Sequence, residues 1–282
     1  MKKKILTLLI ALACLAAVPL LLNAEEAPSV PPADVTVSII NGAPALAAEK
    51  ITVTDADGDG ILTISDALYC AHEKKFTGGA SAGFAAEPSQ YGLSLVKLWG
   101  DTSGAYGYYL NNESPQSLLD TVKTGDSVTA FVYQDTNYWS DAYSYFDKLT
   151  VTVKEGDSVM LTLSYLALDP ETWVASVKPA EGATVTVDGK DTENTVNMDG
   201  KVTVKFDAAG IYLVSAHSDL NIVSPVCVVT VEEAPQVTPP PTVSEPAEEP
   251  QSYGWVVAIC AAVICAAVAV AVVGSRKNGK SE

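Results

Sequence analysis

The sequence predicts an α+β head followed by an all-β sandwich, with a single membrane-spanning helix near the C-terminal end. Three observations predict it. Short runs in which apolar and small polar residues alternate recur from Val35 to Val231, the pattern of half-buried strands. One stretch departs from that period: Ile64, Ala67, Leu68 and Ala71 fall at helical spacing on one face. Trp255 to Val273 carries no charge, and at about 1.5 Å per residue it is long enough to cross roughly 30 Å of hydrocarbon.

Taken in order, the chain opens with Lys2, Lys3 and Lys4, an apolar run from Ile5 to Leu22 and a small residue, Ala24, which together predict a signal peptide over 1–24. Residues 25–33 are proline-rich and acidic, a disordered leader. The head spans 34–146. Val35–Ile39 and Ile51–Thr54 alternate as strands, a helix runs from Ile64 to about Lys75, and Leu93–Trp99, Tyr106–Leu110 and Val128–Tyr133 read as further strands. One helix on several strands makes an α+β layer.

The second domain spans 147–232. Strand-like runs at Leu149–Val153, Val159–Leu163, Thr184–Val187, Val202–Phe206, Ile211–Ala216 and Val226–Val231 are spaced as in a β-sandwich, with Asp188-Gly189 and Asp199-Gly200 as hairpin turns. Gly210-Ile-Tyr212 is similar to the corner at which immunoglobulin-like modules place a tyrosine, which implies an Ig-like sandwich. A second arrangement, in which this half completes the sheet of the first, is also open. Residues 233–252 hold six prolines among acids and read as a linker. A transmembrane helix is expected over 253–274, with Tyr253 and Trp255 at its outer interface. Arg276, Lys277 and Lys280 place the tail, 275–282, on the cytoplasmic side.

The chemistry-bearing motif is Asp55-Ala-Asp57-Gly-Asp59-Gly60-Ile61-Leu-Thr63-Ile-Ser-Asp66. Oxygen-bearing side chains stand at loop positions 1, 3, 5, 9 and 12, the spacing of a calcium loop. A hard divalent cation takes six to eight oxygens. Asp55, Asp57 and Asp59 are the candidate carboxylate ligands, Ile61 offers its backbone carbonyl, Thr63 acts directly or through water, and Asp66 closes the shell. Gly60 stands where the loop turns sharply. The other reading of these residues is an ordinary turn, with Asp66 as a helix acid behind a Thr63 cap. The loop resembles those of EF-hands and, more closely, of dockerin modules, in which the twelfth residue is Asp; the chain carries one copy.

A wider resemblance runs through Ile64-Ser-Asp-Ala67-Leu68, Tyr91-Gly-Leu-Ser-Leu95, Gly107-Tyr108-Tyr109-Leu-Asn111-Asn112 and Gly125-Asp126-Ser-Val128-Thr-Ala-Phe131-Val-Tyr133. These segments are similar to the transcobalamin C-terminal-like domain of bacterial surface proteins. The resemblance covers about residues 34–135 and implies a β-grasp-like fold. Through the vitamin carriers of the family it also implies a corrinoid as ligand, although the helical barrel that holds the corrinoid in those carriers has no counterpart here.

Composition narrows the function classes. A net charge of −17 makes nucleic acid an improbable partner. Cys70 and Cys227 fall in different domains, so no disulfide framework is required. Cys70 and His72 are two residues apart on a helix and do not face one another, and no nucleophile elbow, HExxH or phosphate loop is present, so a non-enzymatic protein is expected. Eleven of the 21 aromatic residues (12 Tyr, 5 Phe, 4 Trp) fall between Trp99 and Phe146. Tyr108, Tyr109, Tyr138 and Trp139 are the candidate ligand-binding residues, since exposed rings offer rigid amphipathic contact area. The competing reading packs them between the two domains. The whole predicts a membrane-anchored, single-pass bacterial cell-surface protein with a calcium-stabilised extracellular domain for a ligand or protein partner. A purely structural spacer is the alternative.

Overall fold

The computed structural model describes residues 30–169, 171–172 and 174–234. They belong to one compact unit, Met1–Ala234; the second unit, Pro235–Glu282, lies outside the described residues. In the first half, β1 (Ala33–Asn41) and β2 (Ala43–Val53) form a hairpin whose turn is Gly42, at φ 71°, where a residue without a Cβ turns the chain cheaply. The helix α1 (Ile64–Lys75) follows, with its apolar side Ile64, Ala67, Leu68 and Ala71 buried. A one-turn helix, α2 (Gly79–Gly83), leads into the hairpin of β3 (Ala85–Ser89) and β4 (Gly92–Lys97). Then β5 (Tyr106–Leu110) and β6 (Ser127–Val132) complete a four-stranded sheet in the order β2-β1-β6-β5, with β1 and β6 parallel.

The second half is two sheets around a core of its own. β7 (Ser144–Phe146), β9 (Ser158–Leu168), β10 (Ala175–Pro179) and β13 (Lys201–Lys205) make one sheet. The other runs β12-β11-β14-β15-β8, formed by β8 (Thr150–Lys154), β11 (Thr184–Val187), β12 (Lys190–Thr195), β14 (Gly210–His217) and β15 (Cys227–Glu232). Alternate residues of facing strands fill the space between: Val159, Leu161 and Leu163 from β9, Val202 and Val204 from β13, Val214 from β14, Val229 and Val231 from β15. Tyr212 donates its hydroxyl to the Ala208 carbonyl at 3.0 Å, closing a tyrosine corner.

The halves are joined by a third cluster. Along β5 the period of two sends Tyr106, Tyr108 and Leu110 toward α1, while Tyr109 turns to the opposite face. There it meets Ile40, Phe131, Tyr143, Val223 and Val226. This explains why β1 is buried on both faces toward its end, at Ser38, Ile39 and Ile40. Gly107 is required at this joint, because a Cβ there would collide with the Phe131 ring.

Three expectations are corrected. The α+β class, with its β-grasp-like head, gives way to a mostly β architecture: half of the described structure is strand and 8% helix. The physical reason is that α1 is the one helix of more than two turns among the described residues, while strands unmarked by strong alternation, such as β3 and β12, are added as hairpin partners of β4 and β11. The EF-hand expectation fails with it, since β2 and a loop precede α1 where an EF-hand has a helix. The single-pass membrane placement is corrected as well. No helix among the described residues is long and apolar enough to cross a membrane. The segment 253–274, like the signal peptide 1–24, lies outside the described residues.

Candidate functional site

Three sequence-marked places bear chemistry: the acidic loop, the His72 environment and the aromatic band. In the acidic loop, Asp55 accepts hydrogen bonds from the amides of Gly58 (2.7 Å), Asp59 (3.2 Å) and Gly60 (2.8 Å). Those bonds, the Gly60 amide first, hold the Asp55 carboxyl below its ordinary range. Asp57 moves the other way. Desolvation raises it, and the like charges of Asp59 and Asp66 add to the rise. Oxygens of Asp55, Asp57 and Asp59 lie within 4.8 Å of one another.

The remaining expected ligands are arranged differently. Thr63 is the N-cap of α1, and its hydroxyl accepts from the Asp66 amide at 3.2 Å while donating to the Asp66 carboxylate at 2.6 Å. Asp66 also accepts from the Thr63 amide at 2.9 Å, which completes a capping box. Its other oxygen accepts from the Ala56 amide at 3.0 Å and so ties the start of the helix to the start of the loop. The structure thus gathers three of the six expected ligands and places Thr63 and Asp66 in a cap. Ile61 extends its side chain to solvent.

His72 is fully buried on α1. Its Nδ1 faces the Leu68 carbonyl at 2.7 Å and therefore carries the proton, while Nε2 accepts from the Trp99 amide at 2.9 Å. Phe76, Phe84 and Trp99 surround the ring. Burial pushes its pKa below the ordinary value. Cys227 is likewise buried, its thiol raised to about 12 by desolvation.

The aromatic band divides in two. Tyr143 is buried at the joint between the halves, stacked on Tyr109 with centroids 3.7 Å apart, and donates its hydroxyl to Asn112 at 2.8 Å. Tyr138 and Trp139 are instead 86% and 64% exposed. Their loop is tied down from within. Asp135 accepts from the amides of Asn137 (3.1 Å) and Tyr138 (3.2 Å) and from the Ser140 hydroxyl (2.6 Å), which holds its carboxyl low. The amide of Asp135 in turn donates to Asp141 at 2.8 Å. Trp139 sits at φ 52°, a left-handed conformation that a bulky residue adopts only when its surroundings impose it.

Together these rings line an open cleft of about 760 Å³. Tyr109, Tyr133 and Tyr143 form its inner side and Tyr138 and Trp139 its lip; Tyr165, Leu166 and Leu168 of β9 form the opposing wall. Of the four expected ligand residues, Tyr109, Tyr138 and Trp139 meet here. Tyr108 does not. The alternation of β5 turns it to a smaller cleft with Tyr91, Tyr106 and Gln116. The sequence pattern does not mark Tyr165, because the apolar alternation of β9 ends at Leu163, whereas pairing with β7 and β10 carries the strand on to Leu168.

No protein-family model matches the chain, and no curated protein matches it. Among solved structures it is similar to N-terminal four-Ig-domain structures of Dscam1. Isoform 6.9 is 14% identical over 53% of this chain and 32% of that one, with a TM-score of 0.21. Isoform 4.44 is 11% identical over 72% of this chain and 46% of that one, with a TM-score of 0.23. The chain spans less than half the length of these structures, and overlap this slight carries no argument about either fold or partner.

Proposed function

We propose that this chain is a non-catalytic binding protein whose ligand or partner site is the aromatic cleft between its two halves, with the acidic loop as a calcium-held brace. One observation carries the reading: Tyr138 and Trp139 stand exposed on a tied loop at the lip of the cleft. Large apolar rings held in water have a cost that a partner's surface would relieve. Binding rather than turnover is supported by where the reactive side chains stand. His72 spends both nitrogens inside the core, and Cys227 is a buried, raised thiol.

For the brace, what supports calcium is the donor set: three carboxylates within 4.8 Å and no basic side chain among their hydrogen-bond partners. Hard oxygen donors suit that cation. Asp55, Asp57 and Asp59 would hold it, and the ion would offset the desolvation and the like-charge repulsion that raise Asp57.

The test is a binding screen of the intact chain against immobilised glycans, cobalamin and organic ammonium salts, repeated with Tyr138→Ala plus Trp139→Ala. Any specific binding should fall at least tenfold in the double variant. A ligand bound equally well by both proteins places the site elsewhere.

A further inference from the structure

The wall chemistry of the cleft points to the class of ligand, an inference that rests on the binding reading above. We infer that the cleft takes an organic cation, a substituted ammonium group carried on an apolar body. Six aromatic residues line it, and they come from separate segments: Tyr109 on β5, Tyr133 after β6, Tyr138, Trp139 and Tyr143 from the following loop and β7 approach, and Tyr165 on β9. Tyr109 and Tyr143 stack face to face on the inner side, and Tyr138 and Trp139 are the rings most open to a ligand. Their faces are the negative part of the quadrupole and attract a cation by electrostatics.

Charge complementarity agrees. Among the described residues no Lys, Arg or His lines the cleft, and the one charged lining residue is Asp141. Asp141 is only 9% exposed, and one of its oxygens accepts from the Asp135 amide at 2.8 Å. The other oxygen takes no hydrogen bond from any described residue. Asp135, the neighbouring carboxylate, is engaged by its own loop. Asp141 is therefore the anion left to pair with a ligand. The field of this carboxylate is felt within the cleft, since it adds to the desolvation that raises Tyr133.

A volume of about 760 Å³ exceeds what one ammonium headgroup fills. Leu166, Ala167, Leu168 and Ala175 supply an apolar wall for the hydrocarbon that such a group would carry.

The test compares choline with its uncharged isostere 3,3-dimethyl-1-butanol, titrated calorimetrically into the intact chain, Asp141→Asn and Trp139→Ala. Asparagine retains a carbonyl oxygen for the Asp135 amide, so Asp141→Asn should keep the melting temperature of the parent. Choline is expected to bind at least tenfold more tightly than the isostere, a preference that shrinks to about threefold in Asp141→Asn; Trp139→Ala should weaken both ligands. Equal binding of choline and isostere, no binding of choline, or an undiminished preference in Asp141→Asn overturns the cation assignment. A neutral glycan that binds the parent and is lost in Trp139→Ala also overturns it while leaving the cleft as a binding site. Binding of every probe untouched by Trp139→Ala removes the site itself.

Discussion

Buried His72 makes stability depend on pH in a direction its two hydrogen bonds dictate. Nδ1–H donates to Leu68 and Nε2 accepts from Trp99, so the folded protein holds a neutral ring. Protonating Nε2 would set a donor against the Trp99 amide in a site walled by Phe76, Phe84 and Trp99. Desolvation accordingly puts the folded pKa below the ordinary 6.5. Above 6.5 neither state binds the proton and the full contribution is present. Below it the unfolded chain takes up a proton that the folded chain refuses. Stability then falls by up to about 1.4 kcal/mol per pH unit until the folded pKa is reached. The assay is urea unfolding at pH 7.5 and 5.5, on the parent and on His72→Leu. The variant strands the Trp99 amide and should lose about 1–3 kcal/mol at both pH values, but its decline between them should be shallower by up to about 1.4 kcal/mol, for one proton over one unit. Contributions from groups away from the substituted site cancel in the difference. Parallel declines would show that His72 charges freely in the folded state and that the tautomer assigned from its partners is wrong.

Three further outcomes are expected. At about 2 mM calcium, a site with a dissociation constant of roughly 0.1–1 mM would stabilise the fold by about 0.7–1.8 kcal/mol, or about 1–7 °C for a domain of this size; Asp55→Ala with Asp59→Ala should abolish the shift, and melts identical with calcium and with chelator would remove the ion from the proposal. Gly107→Ala drives a methyl into the buried Phe131 ring and should cost about 1–3 kcal/mol by denaturant unfolding; a coupled rescue by Phe131→Leu is the expected signature, and independent, additive losses would locate the strain elsewhere. Tyr212→Phe removes the hydroxyl bond to Ala208 and should lower stability by about 0.5–1.5 kcal/mol without changing the far-ultraviolet dichroism.

How much of this was legible in the sequence depends on the range of the interaction responsible. Local signals read well. The spacing of Ile64, Ala67, Leu68 and Ala71 marks the helix, and the one-face alternation of β13 and β15 marks those strands. The fold class is not legible locally, because it is a balance of whole elements. β12, Lys-Asp-Thr-Glu-Asn-Thr, has no apolar residue and is held by its backbone ladder and by the Thr192 hydroxyl donating to the Val185 carbonyl, so nothing in its hydrophobic pattern announces a strand. β7 is three residues long and exists because β9 runs past it. The acidic loop shows the same limit at a finer scale. Spacing gives Asp55, Asp57 and Asp59 as neighbours, but it cannot decide between cap and ligand for Thr63 and Asp66, because both roles use the same oxygens three residues apart.

The aromatic band is where local and distant effects meet. A run rich in tyrosine offered two readings, an internal joint or an exposed face, and the residues divide between them by strand parity and by the tie at Asp135. Tyr109 and Tyr143 stack on Phe131 because β5 and the residue leading into β7 turn them toward a common core; that stack fixes how the two halves meet. Tyr138 and Trp139 lie a few residues from Tyr143, yet the hydrogen bonds that Asp135 accepts hold their loop away from the core. Burial of the inner rings therefore positions the outer ones. It follows that substitutions at Tyr143 should disturb stability and binding together, whereas Trp139→Ala should leave stability within about 0.5 kcal/mol of the parent, as surface changes usually do. A large loss of stability in Trp139→Ala would mean that the lip is part of the joint, and the case for a separate binding surface would fail with it.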